Sequence, residues 1–204
     1  MNFLRYDSPF MIKIRMLVDY ILLGLLWLVA SLPVVTFGAA TTAAFFAAEK
    51  SIQKDNGKMF LTFWSCFLKE FKQATILWLI EMALIAIWGV NVVLLRTIEI
   101  NNVIYALLLM VLLIEFGWMQ FWFAYLSRFR DTTMALLGNT FRVAIGNFPF
   151  TLLLIFISII SVAGLIIAIL YVTPFPLFIP GVYLFLTGNI YRKIFKEYFP
   201  PDTE

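Results

Sequence analysis

The sequence predicts an all-α fold, that of a polytopic integral membrane protein with about six transmembrane helices in three helical hairpins and two amphipathic helices on the cytoplasmic side. The first observation is composition: 63% of the 204 residues are hydrophobic and 13% are charged, against about 45–50% and about 25% in soluble domains. The second is that the long apolar runs lack the alternation of a transmembrane barrel, which leaves helices as the spanning structure. We therefore expect residues 1–204 to form a single membrane domain.

Four apolar runs are long enough to cross a bilayer, which takes about 20 helical residues. The runs cover residues 73–95, 103–126, 148–172 and 176–195. Short connectors at 96–102 and 173–175 join them in pairs. The four runs therefore predict two helical hairpins, at about 73–126 and 148–195.

The placement of basic residues predicts the topology. All Lys and Arg residues except Arg96 fall into four groups: Arg5, Lys13 and Arg15; Lys50, Lys54, Lys58, Lys69 and Lys72; Arg128, Arg130 and Arg142; and Arg192, Lys193 and Lys196. Lys and Arg concentrate on the cytoplasmic side of membrane proteins, so placing all four groups there puts both termini in the cytoplasm. The segment between Arg15 and Lys50 must then leave that side and return to it.

The first hairpin, at about 16–50, is predicted to turn within the sequence SLPVVTFGAATTAAFFAAEK at 31–50. Pro33 disfavours helix at the preceding residue, and Gly38 tolerates bends that other residues do not. Both helices of this hairpin are short, so we expect the Ala and Thr residues of the second to pack closely against neighbouring helices. The competing interpretation is one kinked span, which would place the following Lys group outside and violate the charge rule.

Two segments between the hairpins have the pattern of amphipathic helices. Residues 58–72 place five aromatic side chains at helical spacing, with Lys, Thr and Ser around the other side. Residues 132–147 are a weaker version that contains two glycines. A basic face opposite an aromatic face suits the headgroup layer, where anionic lipids attract Lys. Both segments are therefore predicted to lie at the cytoplasmic surface of the membrane.

Two acidic residues, Glu81 and Glu115, lie deep inside predicted spans. Charged groups at such depth are costly and often mark an ion path, which favours a proton or cation relay if antiparallel helices bring the two acids within a turn of each other. The alternative, which we favour because no Lys or Arg accompanies them, is that each is a protonated acid bonded between helices, or that Glu81 reaches toward the interface. Gln120 is a third intramembrane polar group and is expected to form an interhelical hydrogen bond.

Composition argues against an enzyme. The chain has no histidine and one cysteine, Cys66, which removes the commonest general base and metal ligand. No phosphate-binding or dinucleotide-binding glycine motif and no metal-ligand cluster is present in the sequence. We expect no catalytic residues, no cofactor, no metal site and no nucleic-acid partner.

Two stretches carry a family resemblance: LWLVASLPVVTFGAATTAAFFAAEK at 26–50 and FLTFWSCFLKEFKQATILWL at 60–79. They resemble the YesL family of bacterial integral membrane proteins, a domain of unknown function. The resemblance implies a multi-pass protein of the bacterial cell membrane, a Gram-positive source, and genes beside carbohydrate ABC transporters and polysaccharide-degrading enzymes. It carries over no catalytic residues.

Two functions from different classes follow. The first is an accessory or regulatory partner in bacterial carbohydrate uptake or utilisation, which binds carbohydrate ABC transporter components; this function depends on the resemblance. The alternative is a small secondary transporter or channel that uses Glu81 and Glu115, with a homo-oligomer as one way to build its pathway. An intramembrane enzyme is the least favoured class.

Overall fold

The computed structural model describes residues 9–52, 57–95, 102–171 and 175–198, and these ranges contain helices and no strand. The α-helices are α1 (Pro9–Ala30), α2 (Phe37–Ala47), α3 (Met59–Leu95), α4 (Asn102–Met119), α5 (Trp122–Leu126), α6 (Thr133–Gly146), α7 (Phe148–Leu170) and α8 (Ile179–Tyr198). Two 3-10 turns, Val34–Thr36 and Phe175–Leu177, and a π-helical turn, Ala48–Ile52, lie between them. The prediction of an all-α fold is confirmed for the described residues.

Three helical stretches are long and apolar enough to cross a membrane: Met59–Leu94, Val103–Leu126 and Phe148–Leu170. They contain or match the spans predicted at 73–95, 103–126 and 148–172. The other predicted spans correspond to α1, α2 and α8, which are not among these three stretches. Helix α1 carries three charged residues, α2 has only 11 residues, and the last turns of α8 contain basic residues. Six crossings in three hairpins stay a prediction.

Parts of the topology prediction fall outside the described residues. The connectors at 96–102 and 173–175 lie outside the described residues, apart from residues 102 and 175. Arg5, Lys54 and Arg96 also lie outside them. The cytoplasmic placement of the two termini also stays a prediction.

Helix α3 differs from the sequence interpretation, which separated an interfacial helix at 58–72 from a span beginning at residue 73. The structure has one continuous helix of 37 residues, Met59–Leu95. The sequence offers nothing to break it, because this stretch contains no Pro and its one Gly is Gly89. At 1.5 Å per residue the helix is about 55 Å long, whereas the hydrocarbon core of a bilayer is about 30 Å thick. A helix of this length that crosses a bilayer therefore extends beyond the hydrocarbon core.

The second predicted amphipathic segment, 132–147, is also helical. Helix α6 begins after Thr132, whose side chain accepts a hydrogen bond from the backbone N–H of Ala135 at 3.4 Å. Such a side-chain cap satisfies one of the N–H groups that the first turn of a helix leaves free. The position of this helix at a membrane surface stays a prediction.

The chain breaks its helix between Ala30 and Phe37, as Pro33 predicts. Pro33 has extended backbone angles, and the hydroxyl of Thr36 donates to the carbonyl oxygens of Ala30 at 2.6 Å and Pro33 at 2.7 Å. Helix α2 then packs against the end of α1, where Nε1 of Trp27 donates to Oγ1 of Thr41 at 3.0 Å. The structure therefore has a turn between two packed helices at the predicted place.

Helix α2 lies at the centre of the structure and packs most extensively against α3. Nine of its eleven residues are buried: Gly38, Ala39, Ala40, Thr41, Thr42, Ala43, Ala44, Phe45 and Ala47. The expected close packing of its Ala and Thr residues is confirmed. Small side chains allow such packing because they let two backbones approach.

Gly38 serves this close approach rather than the bend. It lies inside α2, and a methyl group at Gly38 would come 2.6 Å from the carbonyl oxygen of Ala74 and 2.9 Å from Cβ of Trp78 on α3. Helices α1 and α8 cross in the same manner, because a methyl group at Gly24 would lie 2.5 Å from the backbone nitrogen of Gly181. Glycine is required at both contacts for space.

Candidate functional site

A cavity of about 310 Å³ lies among α1, α2, α3, α4, α5, α7 and α8. We call it the central cavity; its walls are Trp27, Phe37, Thr41, Phe45, Trp78, Glu81, Ile85, Phe116, Met119, Gln120, Phe123, Ser158, Ser161, Val162, Leu165, Ile179, Pro180, Tyr183 and Leu184. Most of these side chains are aromatic or aliphatic, and a few are polar. This composition, at the small end of the roughly 300–1,000 Å³ range, is typical of small-molecule sites.

Helix α3 supplies the acidic wall of the central cavity. Trp78, Glu81 and Ile85 are spaced by three and four residues, so they share one face of the helix, and all three line the cavity. Oε2 of Glu81 and Nε1 of Trp78 are both buried, and neither has a hydrogen-bond partner among the described residues. Buried polar atoms without partners are uncommon and costly, so this wall has an unused acceptor and an unused donor one helical turn apart.

Another part of the cavity wall carries a polar network from three helical segments. Gln120 follows α4, Ser158 is on α7 and Tyr183 is on α8. The hydroxyl of Ser158 donates to Oε1 of Gln120 at 3.1 Å, and the hydroxyl of Tyr183 donates to the same oxygen at 3.3 Å. The interhelical hydrogen bond expected for Gln120 is therefore present, and it belongs to the cavity wall.

Gln120 occupies a break that the sequence analysis missed. The span predicted at 103–126 consists of α4 and α5, with Gln120 and Phe121 in a turn between them. The hydroxyl of Tyr191 on α8 donates to the backbone carbonyl of Gln120, and Nε1 of Trp118 donates to Oγ1 of Thr140 on α6 at 3.0 Å. These tertiary contacts support an irregular backbone inside protein, as membrane proteins require.

Glu115 has a different environment from Glu81. Nε1 of Trp88 on α3 donates a hydrogen bond to its carboxyl group, and Glu115 is not among the residues that line the central cavity. Trp88 lies seven residues beyond Glu81, about two helical turns. The structure places Glu81 in the cavity and Glu115 at a contact between α3 and α4, so the two acids do not share one site.

Neither of the two turn residues that were singled out in the sequence lines the cavity. Pro33 and Gly38 are absent from its walls, whereas Phe37, between them, lines it. The ring of Phe37 packs against Trp78 with centroids 4.4 Å apart and against Trp27 with centroids 5.4 Å apart. The turn therefore positions an aromatic cluster of Trp27, Phe37 and Trp78 beside Glu81.

A partly buried ion pair lies beside the cavity and was not predicted from the sequence. Nε of Arg128 is 2.9 Å from Oε2 of Glu49, and the guanidinium carbon of Arg128 lies 5.1 Å from the ring centroid of Phe195. Burial lowers the pKa of Arg128, the carboxylate of Glu49 opposes that shift, and the charge of Arg192 adds to it. The sequence offered one signal for this pair, since Glu49 is the acidic residue at the end of the first apolar run.

Phe45 separates the central cavity from this ion pair. A second cavity, of about 10 Å³, is lined by Phe45, Glu49, Arg128 and Tyr191 among others, and Phe45 also lines the central cavity. The rings of Phe45 and Tyr191 meet edge to face with centroids 5.3 Å apart. One aromatic pair therefore closes the cavity toward the Glu49–Arg128 pair.

Among the described residues no group of three or more Cys, Asp and Glu side chains is placed to hold a metal ion. Cys66, on α3, is buried and is not in a disulfide. It is not among the residues that line the central cavity.

The comparisons with known proteins give one match. The family described as "Protein of unknown function, DUF624" matches residues 20–92. No curated protein matches the chain, and no solved structure matches it. The matched region contains both stretches on which the sequence resemblance was based, together with Trp27, Thr41, Trp78 and Glu81 of the cavity wall. The similarity is to a family of unknown function, and the narrower YesL name stays a prediction.

Proposed function

We propose that the protein is a small secondary transporter whose transported molecule binds in the central cavity beside Glu81. The observation that carries the proposal is the cavity itself, which has a volume of about 310 Å³ and is lined by residues of seven helices. It contains an acid and an amide in an otherwise mainly apolar wall. Polar groups at such positions are costly in a membrane protein and are typical of transport pathways.

The closed end of the cavity favours a carrier over an open channel. Phe45 lines the central cavity and forms a ring pair with Tyr191. The Glu49–Arg128 ion pair lies next to these two rings, around the second cavity. A carrier needs a closure on one side of its site at any moment, because alternating access exposes the site to one side at a time. Aromatic and ion pairs that can separate together are suited to that closure.

Cysteine accessibility tests this proposal without knowledge of the ligand. Ser161 lines the cavity and its hydroxyl bonds to the carbonyl of Ile157 on its own helix, so Ser161→Cys in a Cys66→Ala background is a mild change. The matched control is Ile160→Cys, because Ile160 is on the same helix, is 53% exposed and does not line the cavity. We expect a small water-soluble methanethiosulfonate to label Ser161→Cys and to leave Ile160→Cys unlabelled in lipid.

Labelling in sealed vesicles of both orientations separates the classes of function. A carrier predicts that Ser161→Cys reacts from one side in a given state, whereas an open channel predicts reaction from both sides. Absence of labelling at Ser161→Cys in every orientation, in a protein that remains monodisperse, would show that no aqueous ligand reaches the cavity and would exclude the proposal.

The accessory role in carbohydrate uptake is our second proposal, and the resemblance of residues 26–50 and 60–79 supports it. Its test is crosslinking and co-purification from native membranes in several mild detergents. Recovery of a transporter permease or a solute-binding protein supports this role. Recovery of the chain by itself, combined with one-sided labelling of Ser161→Cys, supports the transporter instead.

A further inference from the structure

We infer that the central cavity binds a monovalent organic cation, an amine or quaternary ammonium group attached to an apolar or aromatic body. The inference rests on the proposed function, since it requires that a small molecule enters the cavity. It assigns the charge and the chemical class of that molecule from the groups that line the walls.

The charge follows from Glu81. Among the described residues it is the one acid in the cavity wall, none of their Lys or Arg residues lines that wall, and the ion pairs described among them do not include it. A carboxylate in apolar surroundings without a counter-charge is costly, and bringing a second negative charge beside it is costlier still. An anionic ligand is therefore disfavoured beside an ionised Glu81, and a cationic ligand would supply the counter-charge that the cavity wall does not provide.

The aromatic cluster strengthens the choice of a cation. Phe37 contacts both Trp27 and Trp78, and Trp78 lies three residues before Glu81 on α3. Phe45, Phe116 and Phe123 also line the cavity. Aromatic faces attract cations, most strongly where water is excluded, and cages of such rings recognise quaternary ammonium groups. The same rings offer contact area to an apolar body, so one wall suits both parts of an amphipathic cation.

A neutral ligand rich in hydroxyl groups fits less well. Gln120, Ser158 and Tyr183 already bond to one another, and the hydroxyl of Thr41 pairs with Trp27 and with the carbonyl of Phe37. Most hydroxyl groups of a sugar would lie against apolar walls without partners, which costs several kcal/mol in total. One hydroxyl could use Glu81 and Trp78 together, so an alcohol is the comparison that the experiment must include.

The experiment compares phenylbutylamine with phenylbutanol, which share a carbon skeleton and differ in an ammonium or a hydroxyl group. The full chain is reconstituted in nanodiscs of zwitterionic lipid, and equilibrium binding of each radiolabelled probe at neutral pH is corrected with empty nanodiscs. We expect the amine to bind at least about tenfold more tightly than the alcohol, because an ion pair and cation–π contacts in a desolvated site are worth this difference or more.

Two isosteric variants locate the effect. Glu81→Gln should abolish the preference for the amine, whereas Glu115→Gln should retain it, because Glu115 bonds to Trp88 outside the cavity. The two probes are also compared on the unmodified chain, without any variant. That comparison can therefore still refute the inference if Glu81→Gln fails to fold.

The outcomes distinguish this inference from the proposed function. Equal affinity for the two probes, or a preference that persists in Glu81→Gln, overturns the organic cation and leaves a transporter of another ligand class. Failure of both probes to bind, with Ser161→Cys still labelled, has the same meaning. Failure of both probes together with an unlabelled Ser161→Cys overturns the inference and the proposed function at once.

Discussion

Helices α2 and α7 are both strongly apolar, yet they occupy opposite environments. Nine of the 11 residues of α2 are buried, whereas α7 buries five of 23: Thr151, Leu154, Ile155, Ser158 and Ala168. Helix α2 is built from Gly, Ala, Thr and Phe, and α7 mainly from Ile, Leu, Val and Phe. The difference teaches that hydropathy alone does not separate a helix packed inside the protein from one that is largely exposed. Side-chain size does separate them, because small residues allow the close approach of helices.

The largest test of this comparison is Gly38→Ala on α2. The added methyl group would lie 2.6 Å from the carbonyl oxygen of Ala74, a backbone atom that cannot rotate away. We expect a loss of about 3 kcal/mol of unfolding free energy, at the upper end of overpacking costs, measured by equilibrium unfolding in mixed micelles.

The matched control for that change is Gly164→Ala on α7. A methyl group at Gly164 would make an ordinary contact of 3.7 Å with Cδ1 of Ile179. Its stability should remain within about 0.5 kcal/mol of the unmodified chain. Equal losses for the two variants would contradict the distinction between the helices.

A smaller effect is expected from Trp27→Phe, which removes the hydrogen bond that joins α1 to α2. Nε1 of Trp27 donates to Thr41, and the Thr41 hydroxyl keeps a second partner in the carbonyl of Phe37 at 2.8 Å. We expect a loss of about 1 kcal/mol, typical of one hydrogen bond whose partner stays satisfied. Ser161→Ala is the comparison on α7, since the Ser161 hydroxyl bonds within its own helix. A larger loss for Ser161→Ala than for Trp27→Phe would be the contrary result.

The smallest effect is expected for Ile160→Leu on the outward face of α7. Ile160 is 53% exposed and makes no contribution to the cavity wall. An exchange of similar volume on a lipid-facing surface should change the unfolding free energy by less than about 0.5 kcal/mol. A loss above 1.5 kcal/mol in the same unfolding assay would show that this face is packed against protein, such as a second copy of the chain.

Local chemistry accounts for the features that the sequence predicted. Pro33 predicted the break after α1 because a proline restricts the residue before it, and the small residues of 37–47 predicted close packing. The same reasoning explains the error at 58–72, where a change of amphipathic pattern was interpreted as a boundary although no residue there ends a helix. An amphipathic pattern indicates which faces of a helix are polar and which are apolar. It does not end the backbone hydrogen bonding between successive turns.

The unpredicted features all depend on residues far apart in the chain. The turn at Gln120 is supported by Tyr191, and the Glu49–Arg128 pair joins the π-helical turn after α2 to the segment after α5. Glu115 bonds to Trp88 and not to Glu81. No local propensity encodes these contacts. The residue types of the candidate site, Glu81 and Gln120, were visible in the sequence as polar groups in apolar runs, whereas the cavity that they line required the packing of seven helices.

The continuity of α3 couples the interior of the bundle to its surroundings. About 33 Å of uninterrupted helix separates Met59 from Glu81, at 1.5 Å per residue. Because Lys69, Lys72, Trp78 and Glu81 all lie on this one helix, we expect that a partner which tilts its first half also moves the wall of the central cavity that contains Glu81.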